Sequence, residues 1–196
     1  MSDAKARLRA DMRSRRARLS AATVAEAAAA VARRLESLPA VAGARRVAAY
    51  RAVRGEIPLD GLLEGGRRKV FSLPRVVGDD LEFVAWCEDQ SFTRGAFGVP
   101  EPVEGEVVAF ADHDAVLVPL TAFDGHCHRL GQGGGFYDRA LAPLPVGAGA
   151  SRPVAVGVAY SFQQVDRVPR DRWDVPLDAV ATDAGIVIAG GGRLAR

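Results

Sequence analysis

The sequence is poor in the residues that staple or metallate a small domain. Two cysteines, Cys87 and Cys127, and three histidines are all that its 196 residues contain. So few thiols build no disulfide framework and suit a reducing compartment, so a cytoplasmic location is expected. An excess of one charge is missing too. The 26 basic and 24 acidic side chains leave a formal net charge of +2, and no global field calls for nucleic acid. No apolar run approaches the roughly 20 residues that span a bilayer. The start is charged from Asp3 onward and has no apolar stretch that would make a signal peptide. Neither a Gly-x-Ser-x-Gly elbow nor a Ser-His-Asp arrangement is present. What remains, 48% apolar and 26% charged, is ordinary for a globular chain. One domain over 1–196 is expected, acting as a monomer on small molecules, with no membrane or nucleic-acid partner.

The first twenty residues carry seven basic side chains against two acidic ones. Leu8, Met12 and Leu19, at spacings of 4 and 7, mark one face of a helix over 3–19. Ser20 and Thr23 are both cap residues, and Thr23-x-x-Glu26 is a capping-box pattern for a second helix to about residue 37. Val24, Val31, Leu35 and Leu38 form its apolar stripe, so residues 1–38 read as a helical pair packed on the rest. Strands are predicted at 46–50, at 69–73 stopped by Pro74, at 81–86 after the Gly78-Asp79-Asp80 turn, and at 115–119. Others are predicted at 154–159, 179–182 and 186–188, with a short helix at 59–64 closed by Gly65-Gly66. This order points to an α/β fold, a layered and mostly parallel sheet flanked by helices. Ligands of such sheets gather beyond the carboxyl ends of the strands. Residues 143–153, rich in Gly, Ala and Pro, read as a surface loop.

The densest chemistry lies at 129–138, Arg-Leu-Gly-Gln-Gly-Gly-Gly-Phe-Tyr-Asp, with four glycines in five positions. Backbone without Cβ atoms can adopt positive φ and lie close to a ligand. Phe136 to Leu141 read as a helix opening, and a glycine loop feeding a helix start favours phosphate. The loop lacks the Gly-Lys-Ser/Thr of a P-loop, and the third glycine of a dinucleotide fingerprint is replaced by Phe136. Arg129 adds a permanent cation, and Asp138 a carboxylate able to hold Mg²⁺. Lys5 and Arg9, at i and i+4, project from one helix face and could clamp a polyphosphate if it were placed opposite. Glu56, in a glycine-marked turn after the first strand, could accept from a substrate amine or amide. Asp166, Asp171 and Asp174 crowd another strand end, where one carboxylate could share a cation with Asp138. His126-Cys127-His128 lacks metal-ligand spacing and reads as loop. Phosphate cradle, cations and carboxylates suit phosphoryl transfer.

Read in order, Lys5-Ala6-Arg7-Leu8-Arg9, Glu56, residues 97–102 (Phe-Gly-Val-Pro-Glu-Pro), Asp114 through Pro119, the 129–138 loop with Arg139, and Phe162-Gln163 through Val168-Pro169 to Asp174 resemble the 5-formyltetrahydrofolate cyclo-ligase family nearly end to end. The resemblance implies a fold like that of the sugar-phosphate isomerase and CoA-transferase group. It also implies ATP- and Mg²⁺-dependent conversion of 5-formyltetrahydrofolate to 5,10-methenyltetrahydrofolate, with ADP and phosphate released. In the family reaction ATP phosphorylates the formyl oxygen, and folate N10 closes the ring. Carried over by position, Lys5, Ala6, Arg7, Leu8 and Arg9 would contact ATP. Arg129, Leu130, Gly131, Gln132, Gly133, Gly134, Gly135, Phe136 and Tyr137 would wrap its phosphates, with Arg129 and Tyr137 stabilising charge. Arg51 and Glu56 would face the folate together with Gln132, Gly133, Gly134, Gly135 and Phe136, and Asp138 and Asp174 would bind Mg²⁺.

Gly134, Phe136, Trp173 and Arg51 depart from the family pattern: certain members carry lysine at the first place, many have tyrosine at the second and often histidine at the third, and the fourth is usually apolar. Two other readings compete. One is a relative that keeps the nucleotide site but uses another acceptor. The other is a nucleic-acid binder using the basic first helix, although that helix has no aromatic residue to stack on bases.

Overall fold

The computed structural model describes residues 3–65, 68–95, 98–142, 152–190 and 194; Gly66, Phe97 and residues 143–151 of the Gly/Ala/Pro-rich stretch lie outside them. The first half contains α1 (Asp3–Ala17), α2 (Ala21–Ser37), α3 (Pro39–Ala42), β1 (Arg46–Ala48), α4 (Asp60–Gly65), β2 (Val70–Val77), β3 (Asp80–Ala85) and β4 (Phe92–Arg94). There follow β5 (Pro100–Pro102), β6 (Val107–Val108), β7 (Ala115–Pro119), β8 (Ala122–Phe123), β9 (Arg129–Leu130), α5 (Phe136–Leu141), β10 (Val154–Val158), β11 (Ala179–Ala181) and β12 (Ile186–Ile188). Eight strands form one sheet in the order β12-β11-β10-β7-β1-β2-β3-β6. The run from β11 to β2 is parallel, and β12, β3 and β6 join antiparallel at the edges. The mostly parallel α/β sheet expected from the sequence is the one that forms.

β7 sits in the middle because it is apolar on both faces, as a strand with helices or loops on either side must be. Ala115 and Leu117 join a core with Val31, Leu35 and Ile57, while Val116 and Val118 join another with Phe83, Leu120 and Leu141. α2 covers the first of these faces. Its cap is Ser20, whose hydroxyl accepts the Thr23 N–H at 3.1 Å, so Thr23 lies within the first turn and the Thr23–Glu26 box does not form.

Two sequence expectations change. Pro74 does not stop β2; it pairs with Phe83 in the middle of the β2–β3 hairpin. Val70 N–H and Ser72 C=O bond toward β1, so Pro74, two residues further on, turns its missing N–H to the same side. There β1 has already ended, and no ladder bond is lost. The helical pair also divides. α2 packs with α3 and α4 on the sheet, whereas α1 lies on the β8–β9 hairpin. Met12 of α1 meets Ala122, Leu130 and Val168 there, and the rest of the helix's buried face is Lys5, Arg9 and Arg16. Among the described residues no helix is long and apolar enough to cross a membrane.

Candidate active site

Beyond the carboxyl ends of β1 and β7 opens a cleft of about 800 Å³. Tyr50 follows β1 and Pro119 ends β7 at its base, while Pro74, Val76 and Leu81 of the β2–β3 hairpin make an apolar wall. Lys5, Arg9 and the glycine loop line the cleft as well, with Arg9 bonded to the loop. This is the position in which open α/β sheets bind ligands.

Gly133 and Gly135 hold φ of +114° and +69°, which L side chains rarely adopt. The loop they shape is tied to α1, because Arg9 Nε donates to the Gly131 carbonyl at 2.8 Å. Arg9 Nη1 is buried without a hydrogen-bond partner. Buried polar groups are normally satisfied, so an unpartnered guanidinium N–H beside exposed loop backbone is a place for an anion. A Cβ on Gly133 would lie 3.7 Å from the Arg9 guanidinium, within the space such an anion would share. A Cβ on Gly134 would come 2.6 Å from the Phe136 ring, which lies under the Arg139 guanidinium at 4.9 Å. Glycine in place of lysine at 134 therefore goes with the ring position of Phe136.

The two acidic candidates lie in the same cleft, each held by a cation. Arg129 is 7% exposed; Nη2 donates to Asp138 Oδ1 at 2.6 Å and Nη1 donates to the Val175 carbonyl. Burial pulls the Arg129 guanidinium below its ordinary value, against the pull of Asp138, yet arginine remains charged. Lys5 Nζ donates to Asp171 Oδ2 and Asp174 Oδ2, both at 2.8 Å. Burial opposes charge on both partners, but these bonds outweigh it. Lys5 is raised, and Asp174, helped by the Asp171 amide, is held below the usual carboxylate value. The second oxygen of Asp138 and of Asp174 carries no hydrogen bond among the described residues. Nor do those residues contain a cluster of three or more metal-binding side chains. That donor set fits Mg²⁺ arriving with a nucleotide, since Mg²⁺ takes one or two carboxylates and fills its shell with phosphate and water.

Glu56 and Glu101 are both buried carboxylates of the cleft, and Glu56 is the one tied to the glycine loop. Its Oε1 accepts from Gln132 Nε2 at 2.9 Å and its Oε2 from the Val53 N–H at 3.1 Å. Burial pushes the carboxyl above its ordinary value, and those two donors with Arg16 hold it back. Tyr137 lies near it with a buried, unpartnered hydroxyl, whose ionisation is pushed well upward by burial and then by the Glu56 charge. It stays a neutral donor at any working pH.

The cleft therefore brings together Lys5, Arg9, Arg51, Glu56, the whole 129–138 loop and Asp174. It does not bring Ala6, Arg7 or Leu8, because consecutive helical residues point about 100° apart. Arg7 is exposed and pairs with Asp3, and Leu8 packs beside Met12. Arg51 reaches the rim but is engaged by Asp60 at 2.7 Å and lies 5.3 Å over the Phe92 ring. Three of the basic residues of α1, Lys5, Arg9 and Arg16, are buried and so not offered to a nucleic acid, while Arg7 and Arg15 stay exposed. His126-Cys127-His128 forms the β8–β9 turn, organised by Asp124, which accepts the His126, His128 and Val168 N–H groups. Tyr50 and the hairpin wall also line the cleft and carry no sequence signal of their own, while Glu101 and Trp173, which line it too, lie in stretches the family resemblance marked. Arg16 could have been found by extending the i, i+4 step of Lys5 and Arg9 through Met12.

Fold and cleft together define an α/β protein whose cleft sets a glycine loop and buried cations beside a buried carboxylate. The model of the 5-formyltetrahydrofolate cyclo-ligase family matches residues 1–183, and the chain belongs to that family. It is 32% identical over 177 residues to the 5-formyltetrahydrofolate cyclo-ligase of Haemophilus influenzae, covering 87% of this chain and 92% of that one. The Escherichia coli K12 cyclo-ligase is 30% identical over 160 residues, 78% of this chain and 86% of its own. The NMR structure of Aquifex aeolicus 5,10-methenyltetrahydrofolate synthetase superposes with a TM-score of 0.82 at 36% identity, over 96% of this chain and 94% of that one. The synthetase of Mycoplasma pneumoniae gives 0.73 at 26% identity, over 93% and 99%.

Proposed function

We infer that this protein converts 5-formyltetrahydrofolate to 5,10-methenyltetrahydrofolate at the expense of ATP, with Asp138 and Asp174 as the residues that would hold Mg²⁺. The carrying observation is that Gln132 of the glycine loop donates at 2.9 Å to the buried Glu56, so an anion cradle and a carboxylate grip form one site. In this reading bound ATP supplies the phosphoryl group that activates the formyl oxygen, and folate N10 supplies the nucleophile. The protein's own work is then alignment and charge. Arg9, Arg129 and the loop amides stand where negative charge moves between phosphate oxygens. Glu56 accepts from an N–H of the pteridine, and the Tyr137 hydroxyl donates toward the reacting oxygens. The apolar wall of Pro74, Val76 and Leu81 limits water.

The test mixes purified protein with 5-formyltetrahydrofolate and Mg²⁺, with and without ATP, and follows absorbance of the methenyl product. Product that grows only with ATP is expected. ATP binding without product would send the search to another acceptor. Asp138→Asn is expected to keep the fold but lower turnover on the order of 10²-fold at limiting Mg²⁺, as the metal loses a charged ligand. Unchanged turnover there would remove Asp138 from the metal site.

A further inference from the structure

Arg16 ends the buried stripe of α1. It is 2% exposed, and none of its three guanidinium nitrogens has a hydrogen-bond partner. A charge taken out of water is ordinarily paired, so an unbridged guanidinium in the interior needs a reason. The anion it faces is Glu56, its strongest favourable neighbour. The approach is close because Gly55, at φ +74°, lets α1 press against the turn that presents Glu56; a Cβ there would lie 3.2 Å from Arg16 Cβ. One turn earlier, Arg13 Nη2 donates to Gln132 Oε1 at 2.7 Å. That bond fixes which end of the amide is which, and leaves Nε2 to donate to Glu56. The other groups around Glu56 are Arg54 on its own turn, Tyr50 after β1 and Tyr137 of α5.

An offset cation does something a direct bridge cannot. It favours the ionised carboxylate without occupying a lone pair, so acceptor sites not used by Gln132 and Val53 stay available to a substrate N–H. We propose that Arg16 and Arg13 are positioning residues for Glu56: Arg16 keeps the carboxylate ionised inside the cleft, and Arg13 turns Gln132 so that its amide orients it. The proposal rests on the assignment of Glu56 to the folate site.

Two measurements separate the proposal from that assignment. The first is calorimetric binding of 5-formyltetrahydrofolate as pH is lowered from neutrality, for wild type, Glu56→Gln, Arg16→Met, Arg16→Lys and Arg13→Met. Wild-type affinity falls as Glu56 takes a proton. Removing the cation raises the carboxyl's affinity for that proton, so the fall in Arg16→Met comes about one pH unit higher. Arg16→Lys keeps the wild-type midpoint. Arg13→Met weakens binding several-fold at every pH without moving the midpoint. The second measurement is the NMR titration of ¹³C-labelled Glu56 in the same proteins, which needs no folate. An Arg16→Met midpoint that coincides with wild type in that titration overturns the proposal, as does Arg16→Lys behaving like Arg16→Met. If Glu56→Gln binds folate like wild type, the assignment of Glu56 fails, and the NMR titration still decides the role of Arg16. Should Arg16→Met not fold, Arg16→Gln removes the same charge with a polar side chain of similar reach.

Discussion

At Gly133 the backbone holds φ +114°, and the nearest atoms a Cβ would meet are those of the Arg9 guanidinium at 3.7 Å, an ordinary contact. The position is thus restricted by its conformation more than by crowding. Gly133→Val is expected to weaken ATP at least tenfold in equilibrium binding, since strain of about 1–3 kcal/mol would be relieved by moving the loop amides. Wild-type affinity would show that the loop does not cradle phosphate. This residue was legible in the sequence because glycine's chemistry is its backbone. Lys5 and Arg9 were legible only in part: their spacing gave a shared face, but whether that face meets solvent or a cleft depends on what packs against it. Arg13 was hidden for the same reason, and Arg16 was legible only as the next step of the stripe through Lys5, Arg9 and Met12.

α2 and β7 show how far apolar pattern carries an element. Leu35 is fully buried in the core beneath α2 and does not line the cleft. Leu35→Ala should lower stability to urea by about 2–5 kcal/mol while folded protein keeps its ATP affinity. A loss of affinity at equal folded fraction would mean that this core and the cleft are coupled. The long strands and helices were legible because they repeat a period over several residues. The two-residue strands β8 and β9 repeat nothing, so the hairpin that seats α1 went unseen. Pro74 was misplaced because a missing N–H breaks a ladder only where a neighbouring strand waits for it, and which side that is depends on register.

For the molecule as a whole, the cleft draws residues from the first helix to the segment before β11, so a ligand there ties distant parts of the chain together. Mg²⁺-ATP at about 100 times its Kd should stabilise the protein by about 2.7 kcal/mol, read as a rise in thermal midpoint, and chelating the metal should remove part of that rise. A midpoint indifferent to Mg²⁺-ATP would count against nucleotide binding in this cleft. The sheet was readable from the chain, but the meeting of residues 5, 56, 129 and 174 was not; the family resemblance supplied it. The seat of α1 carries a further consequence. Its one fully buried apolar side chain is Met12, with Leu8 partly buried beside it, in a small cluster apart from the two large cores. A helix moored mainly by polar contacts at the cleft is expected to open ahead of the sheet, which faster amide exchange in α1 than in β7 would show. Heat or denaturant would then strip the protein of Lys5, Arg9 and Arg16 first, leaving an intact fold that has already lost its function.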